Sequence, residues 1–101
     1  MERALGLLER RWAMRVVWAL RRDSLGFTEL SRRLGVGPSV LSTRLRELAA
    51  EGIVEADDRR RYRLTARGRA LARVLYELYR WSAAEGAGGE DDPPSVAILA
   101  P

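Results

Sequence analysis

The fold is decided by the stretch GVGPSVLSTRLREL, residues 35–48. The two glycines at its start permit a tight turn. Pro38 suits the first position of a helix, where its missing N–H costs no hydrogen bond. Leu41, Leu45 and Leu48 recur at spacings of four and three residues, so they share one face of that helix. The stretch therefore predicts a short turn followed by an amphipathic helix that ends before Gly52.

The opposite face of this helix is short, polar and basic. It is predicted to carry Ser39, Ser42, Thr43 and Arg46. A helix that is anchored by leucines and offers small hydrogen-bonding groups suits the major groove of DNA. Because ordinary surface helices show the same two faces, the rest of the chain has to decide between the two interpretations.

Composition excludes several classes of function. The chain has 101 residues, enough for one domain with a modest core. It contains no cysteine and no histidine, so disulfides, zinc–thiolate sites and the common nucleophilic triads lack their parts. We therefore expect no catalytic residue, no metal site, no cofactor and no enzymatic activity.

The charge distribution indicates a polyanionic partner. All 18 basic residues are arginines within residues 1–81, which hold ten acidic residues, whereas residues 82–101 hold four acids and no base. GC-rich codons account for the missing lysine but not for this uneven distribution. A basic body of this kind favours nucleic acid.

No part of the sequence indicates a membrane or an export signal. No apolar run approaches the roughly 18–20 residues of a membrane span. The first ten residues carry charges too closely spaced for the core of a signal peptide. We therefore expect a cytoplasmic location and no membrane partner.

Two helices are predicted before the turn. The first covers residues 10–22 and places Trp12 on its apolar stripe and Trp18 beside it. After a break at residues 23–26, Phe27 is expected in a brief extended position, and Thr28 is expected to cap a second helix that Gly35 ends. This helix turns two arginines outward, where they can bind phosphates: Arg32 and Arg33.

A β-hairpin is predicted after the leucine-bearing helix. Residues 53–56 have strand character, residues 57–60 are turn-like, and residues 61–64 alternate with a period of two. The tip and the returning strand carry Arg59, Arg60, Arg61 and Arg63. These side chains suit DNA phosphates or a minor groove, although a solvated charged turn has the same composition.

The last predicted helix has more apolar surface than one small core can cover. It runs from Thr65, its cap, to about Trp81, and its apolar strips suggest a homodimer seam shared with the N-terminal leucines. Alternatively, those leucines fold back and cover the helix. The predicted interface residues are Leu5, Leu8, Trp12, Trp18, Leu71, Leu75, Tyr76, Leu78 and Tyr79. Residues 82–101 are predicted to be a flexible acidic tail with one apolar stretch, Val96–Leu99.

The order of elements predicts a mainly α protein with a small β-hairpin (α+β), the winged helix-turn-helix arrangement. Four motifs in succession resemble the HxlR-type branch of the MarR-like winged-helix regulators: RWAMRVVWAL at 11–20, GFTEL at 26–30, PSVLSTRLREL at 38–48 and YRLTARG at 62–68. The resemblance covers roughly residues 8–81. It implies a homodimeric bacterial or archaeal transcription factor, dimerised through its N- and C-terminal helices, with its recognition helix at 38–51.

Two features depart from that family. Members often carry a cysteine ahead of the tryptophan that senses oxidants or electrophiles, and this chain has none. Members also usually have a longer wing than residues 57–60 provide, so phosphate contact is expected from the wing rather than minor-groove reading.

The leading hypothesis is a homodimeric transcriptional regulator, more specifically a repressor, that binds double-stranded DNA in a sequence-specific manner. The expected DNA contacts are Ser39, Ser42, Thr43, Arg44, Arg46, Arg32, Arg33, Arg59, Arg60, Arg61 and Arg63. The alternative is a winged-helix module that binds a protein through its aromatic residues, with the arginines only solubilising it. Nothing in the sequence demands a small-molecule effector.

Overall fold

The computed structural model describes residues 1–87, which form five helices and two short strands. In chain order these are α1 Glu2–Glu9, α2 Ala13–Ala19, α3 Phe27–Leu34, α4 Pro38–Ala50, β1 Val54–Ala56, β2 Tyr62–Leu64 and α5 Ala66–Ala87. The predicted fold class, a mainly α winged helix-turn-helix with a small hairpin, is confirmed. The predicted tail beyond Ala87, including Val96–Leu99, lies outside the described residues.

The leucine face of α4 lies at the centre of the core. Leu41, Leu45 and Leu48 are buried, as the spacing predicts. Each such side chain contributes about 1.5–3 kcal/mol through removal of apolar surface from water. The other fully buried large side chains come from α2, α3 and the segment before β1: Val16, Val17, Leu30 and Ile53.

The turn between α3 and α4 forms where the glycines predict it. Gly35 has φ +67°, a left-handed conformation that favours glycine, and its N–H donates to the Ser31 carbonyl at 2.9 Å. The Ser31 hydroxyl donates to the Val36 carbonyl at 2.7 Å. Val36 is also buried, so both hydrogen bonds and apolar packing fix the turn. This fixes the direction in which α4 begins at Pro38.

The first two predicted helix boundaries are wrong in detail. The helix predicted over residues 10–22 is only Ala13–Ala19, because Trp12 adopts a left-handed conformation, φ +76°, that separates α2 from α1. Thr28 does not cap α3. Gly26 occupies the N-cap position in extended conformation, and Phe27 is the first helical residue rather than an extended one.

The sheet contains the predicted hairpin and one contact that the sequence did not reveal. Strands β1 and β2 pair antiparallel, with Val54 opposite Leu64 and Ala56 opposite Tyr62. Leu25 pairs with Tyr62 from the other side, through hydrogen bonds of 2.9 and 2.7 Å in both directions. The residue before α3 that pairs with the sheet is therefore Leu25, which ties the hairpin to the segment between α2 and α3.

Helix α5 leaves the hairpin through a tight junction. The Thr65 hydroxyl accepts the Gly68 N–H at 3.0 Å and confirms the predicted cap. The helix continues to Ala87 rather than stopping near Trp81, because the alanines that follow Ser82 are strong helix formers. Contacts with α2 fix its direction.

Candidate nucleic-acid interface

The outer face of α4 is the part of this helix that is available to a partner. Ser39, Ser42 and Arg46 are exposed, and Thr43 is half-buried between them. The Thr43 hydroxyl donates to the Ser39 carbonyl at 3.1 Å, and one Arg46 nitrogen lies 3.5 Å from that hydroxyl, at the limit of a hydrogen bond. Arg46 thus has only one weak polar contact with the described residues, and its guanidinium can still bind a base or a phosphate.

Arg44 differs from the other predicted contacts of α4. Its Nε donates to the Arg11 carbonyl at 2.7 Å, and its Nη1 lies 3.2 Å from a Glu47 carboxylate oxygen. The first bond fastens α4 to the residues that precede α2, whereas the second lies within α4. Arg44 therefore acts on the orientation of the helix, and the structure leaves it little freedom to reach DNA.

Val40 is an outer-face residue that the sequence analysis did not single out. It lies in the first turn of α4 and is 39% exposed. Apolar side chains in this position contact the methyl group of thymine in a major groove. The sequence does hold a sign of this exposure, because Val40 is an apolar residue that does not follow the spacing of Leu41, Leu45 and Leu48.

The two predicted arginines of α3 share one carboxylate. Arg32 and Arg33 pair with the two oxygens of Glu29 at 2.5 and 2.8 Å. The hydrogen bond from Arg33 and the charge of Arg32 hold the pKa of the Glu29 carboxyl below its usual value. Two guanidinium groups face one carboxylate, so one net positive charge remains, and this charge suits contact with a phosphate.

The arginines of the hairpin divide into two pairs. Arg61 donates to the Ser24 hydroxyl at 3.2 Å and to the Ser24 carbonyl at 2.5 Å. Arg63 pairs with Glu55 at 2.8 Å, and that carboxylate raises the pKa of the Arg63 guanidinium. These two arginines brace the hairpin, whereas Arg59 and Arg60 are exposed at its tip without a side-chain partner among residues 1–87.

Asp57 shapes the tip that carries those two arginines. Its Oδ1 accepts the backbone N–H groups of Arg59 at 2.8 Å and Arg61 at 2.9 Å. The bond from Arg61, followed by the bond from Arg59, lowers the pKa of the Asp57 carboxyl. Arg60 takes the positive φ, +60°, that closes the turn.

The predicted interface residues that are exposed on α5 lie on two different flanks of that helix. One flank carries Leu78, which is 57% exposed, together with Val74, which was not predicted and is 62% exposed. The predicted residues Leu5 and Leu8 of α1 are exposed as well. The other flank carries Tyr76, which is exposed, and Tyr79, which packs against Trp18. The remaining predicted residues, half-buried against the core of the same chain, are Trp12, Leu71 and Leu75.

Comparison with known proteins identifies the family. The profile of the HxlR-like helix-turn-helix family matches residues 7–88. This chain belongs to the HxlR-like helix-turn-helix family. It is 38% identical over 88 residues to the HTH-type transcriptional regulator YvaP of Bacillus subtilis, across 80% of this chain and 82% of YvaP. It is 35% identical over 88 residues to the regulator Rv3095 of Mycobacterium tuberculosis, of which it spans about half, 54%.

Solved structures of regulators share the fold. Quinone-bound YodB from B. subtilis superposes with a TM-score of 0.76 at 32% identity, over 83% of this chain and 96% of YodB. The transcriptional repressor BigR from Xylella fastidiosa gives 0.65 at 27% identity, over 87% of this chain and 84% of BigR. The HxlR-like chain is therefore a DNA-binding transcriptional regulator, from a family of regulators rather than enzymes.

Two other kinds of site are absent from the described residues. Within residues 1–87, no three acidic side chains come close enough together to hold a metal ion. Across the same residues, no helix combines the length and the apolar character needed to cross a bilayer.

Proposed function

We propose that this regulator is a homodimeric, sequence-specific repressor, with α4 in the major groove and the hairpin tip on the flanking backbone. One observation carries the proposal: α4 buries its three leucines and leaves Ser39, Ser42 and Arg46 exposed. A helix in this state contributes its polar face to a partner without losing core contacts. That is the geometry in which winged-helix proteins read base edges.

The contacts fall into a reading set and a positioning set. Ser39, Val40, Ser42 and Arg46 form the reading set, because they lie on the exposed face of α4. Arg32, Arg33, Arg59 and Arg60 form the positioning set, because they lie on flanking elements and suit phosphates. Arg44, Arg61 and Arg63 support the fold through the internal bonds described above, so we assign them no direct DNA contact.

Two copies are proposed to meet through the apolar flank of α5. Val74 and Leu78 on α5 and Leu5 and Leu8 on α1 are exposed, and an apolar cleft lined by Met1 and Val74 runs between the two helices. Exposed large apolar side chains that lie together are typical of an interaction site. A two-fold dimer then presents two α4 helices and predicts an operator with inverted half-sites.

Repression, rather than activation, is supported by similarity alone. BigR, a transcriptional repressor, shares the fold and 27% of its aligned residues with this chain. In the simplest repressor, occupancy of an operator excludes the transcription machinery and requires no activating surface. We therefore propose repression as the direction of regulation.

Selection of binding sites from random DNA duplexes tests this function. We expect enrichment of an inverted repeat whose half-site centres lie about 34–36 Å apart, one helical turn. Binding to the enriched duplex should weaken steeply with added salt, because each phosphate contact releases counterions. Failure to enrich any sequence, or binding that does not respond to salt, would contradict the proposal and favour a protein partner.

A further inference from the structure

A groove lined by four arginines lies on the flank of α5 opposite Val74 and Leu78. It has a volume of about 530 Å³ and runs between the end of α2 and α5. On α5, residues 69, 73 and 76 follow one another at helical spacing and form one wall of the groove. We call it the arginine groove after the arginines that line it: Arg21, Arg22, Arg69 and Arg73.

The positive charge of the arginine groove is not neutralised by its own surroundings. No carboxylate lines it, and the ion pairs found within residues 1–87 all involve other arginines. Arg21 donates to the Trp18 carbonyl at 2.8 Å and Arg69 to the Leu64 carbonyl at 3.3 Å. Because these acceptors are neutral, the four guanidinium groups keep their charge and attract an anion.

The same groove offers aromatic surface for a flat ligand. The Tyr79 ring lies 6.0 Å from the rings of both Trp18 and Tyr76. The two tyrosines remain about half exposed, at 50% for Tyr76 and 55% for Tyr79. The Arg21 guanidinium already lies over the Trp18 ring, 4.1 Å from its centroid. The open faces of the tyrosines therefore suit a further planar group.

The groove has a charged end and an aromatic end. Leu25, soon after α2, pairs with the hairpin from which α5 departs, so the arginines that follow α2 lie near the start of α5. Arg69, in the first turn of α5, donates to the last residue of the hairpin. Tyr79 lies ten residues farther along α5, about 15 Å at 1.5 Å per residue. A ligand that fills the groove is therefore elongated, with anionic groups at one end and a flat ring at the other.

We propose that the arginine groove binds a nucleoside polyphosphate, with the phosphates on the guanidinium groups and the base on the tyrosines. Guanidinium groups bind phosphate oxygens in pairs, and bases stack on aromatic side chains. A polyphosphate carries several negative charges, whereas an aromatic monocarboxylate would neutralise only one of the four arginines. The volume of the groove lies in the range of about 300–1,000 Å³ that is typical of small-molecule sites.

The proposed nucleotide site is separate from the DNA-binding face. The exposed residues of α4 that the proposed function uses, Ser39, Ser42 and Arg46, do not line the arginine groove. Nucleotide binding requires neither DNA nor the dimer. Its failure therefore leaves the proposed function intact, and a failure of DNA selection leaves the nucleotide site intact.

Titration of the DNA-free full chain with ATP, without divalent cations, tests the site. The readout is the NMR signal of each tryptophan indole N–H. We expect the Trp18 signal to shift and to saturate, whereas Trp12, which does not line the arginine groove, should stay in place. A Trp18 signal that does not move at millimolar ATP would overturn the proposal.

Two fragments of ATP show whether both ends of the groove contribute. Tripolyphosphate supplies the charges without the base, and adenosine supplies the base without the charges. ATP should bind about tenfold more tightly than tripolyphosphate, because stacking of the base adds to the phosphate contacts, and the gap to adenosine should be larger. Tyr76→Leu should lower the affinity for ATP but leave that for tripolyphosphate unchanged. Equal affinity of the parent for ATP and tripolyphosphate would show only attraction between charges and would contradict the proposal.

A pair of double variants tests the arginines. Arg22→Gln/Arg73→Gln removes two guanidinium groups that, unlike those of Arg21 and Arg69, make no hydrogen bond within residues 1–87. It should bind ATP at least tenfold more weakly. The control Arg11→Gln/Arg15→Gln makes the same charge change beside Trp12 and should bind ATP like the parent. Equal weakening in both variants would overturn the assignment to this groove.

Two further probes separate a free nucleotide from ligands of related chemistry. Benzoate has a ring and a single negative charge, and a short single-stranded oligodeoxyadenylate has both bases and phosphates. We expect ATP to shift the Trp18 signal at lower concentration than either probe. Tighter binding of benzoate would show that the ligand is an aromatic acid, and tighter binding of the oligonucleotide would show that it is a single strand; either result would contradict the proposal.

Discussion

At Gly68, α5 packs closely against Ile53 and Leu64, at the base of the hairpin. A Cβ added to its backbone would collide with the Ile53 carbonyl oxygen and also press on the Leu64 side chain. We expect Gly68→Ala to lower the free energy of unfolding by about 1–3 kcal/mol, because the backbone has to shift. Chemical denaturation measures the change.

Gly6 provides the matched control for that substitution. It lies in α1, and an added Cβ would meet nothing within 4 Å. Gly6→Ala should therefore raise the stability of the helix by about 0.5–1 kcal/mol. If both alanine variants change the unfolding free energy in the same direction, the close approach at Gly68 is not what determines its residue type.

The arginines show which part of the interface can be predicted from the sequence. The leucine spacing predicts the outward position of Arg46 correctly, because helix periodicity alone decides it. The internal bonds of Arg44 and Arg61 could not be predicted, since their acceptors lie 33 and 37 residues away in sequence. Composition overstates the number of arginines available to DNA for the same reason.

At the scale of single elements, the hairpin depends on one carboxylate. Asp57 accepts two backbone N–H groups at the tip, and its pKa is lowered. Because its pKa is lowered on folding, the ionised Asp57 carboxylate stabilises the folded chain fully above the ordinary carboxyl pKa of about 3.8. This stabilisation is lost as the pH falls through the lowered pKa of Asp57 in the folded chain. The hairpin should therefore be more stable at neutral pH than in acid.

Asp57→Ala tests this dependence. We expect the variant to be less stable than the parent at neutral pH, with the difference shrinking below about pH 4. Urea denaturation across a pH series measures it. Asp58→Ala, which removes the neighbouring carboxylate but keeps both backbone bonds of Asp57, should lie closer to the parent; a pH-independent loss in Asp57→Ala would contradict the account.

The elements differ in how far local sequence determines them. The turn at Gly35 and the cap at Thr65 were predicted because each depends on a few adjacent residues. The break at Trp12 and the pairing of Leu25 with Tyr62 were not, because a left-handed tryptophan and a single bridge have no local pattern. The pairing of Leu25 with Tyr62 joins residues that are distant in the sequence.

At the scale of the whole molecule, the apolar flank of α5 predicts self-association. Leu78→Glu places a charge in the proposed seam, so we expect this variant to be monomeric under conditions in which the parent is a dimer. Sedimentation velocity measures the oligomeric state. Ala83→Glu adds the same charge at a different position around α5, and this control should remain dimeric.

The oligomeric state also determines how the DNA is bound. Loss of the dimer removes the second α4, so Leu78→Glu should bind an inverted repeat no better than a single half-site. A Leu78→Glu variant that sediments like the parent would show that the seam lies elsewhere. The aromatic flank with Tyr76 and Tyr79 would then be the next surface to test.

The central claim is that the exposed face of α4 reads DNA sequence, and Arg46→Ala tests it most directly. The measurement is the affinity of the variant for the selected duplex and for a scrambled duplex of the same length, at one salt concentration. Arg80→Ala, which removes the same charge from α5, is the control. We predict that Arg46→Ala loses about 1–3 kcal/mol on the selected duplex and much less on the scrambled one, whereas Arg80→Ala changes both slightly and equally. Equal losses on the two duplexes for Arg46→Ala, or no loss on either, would contradict the claim.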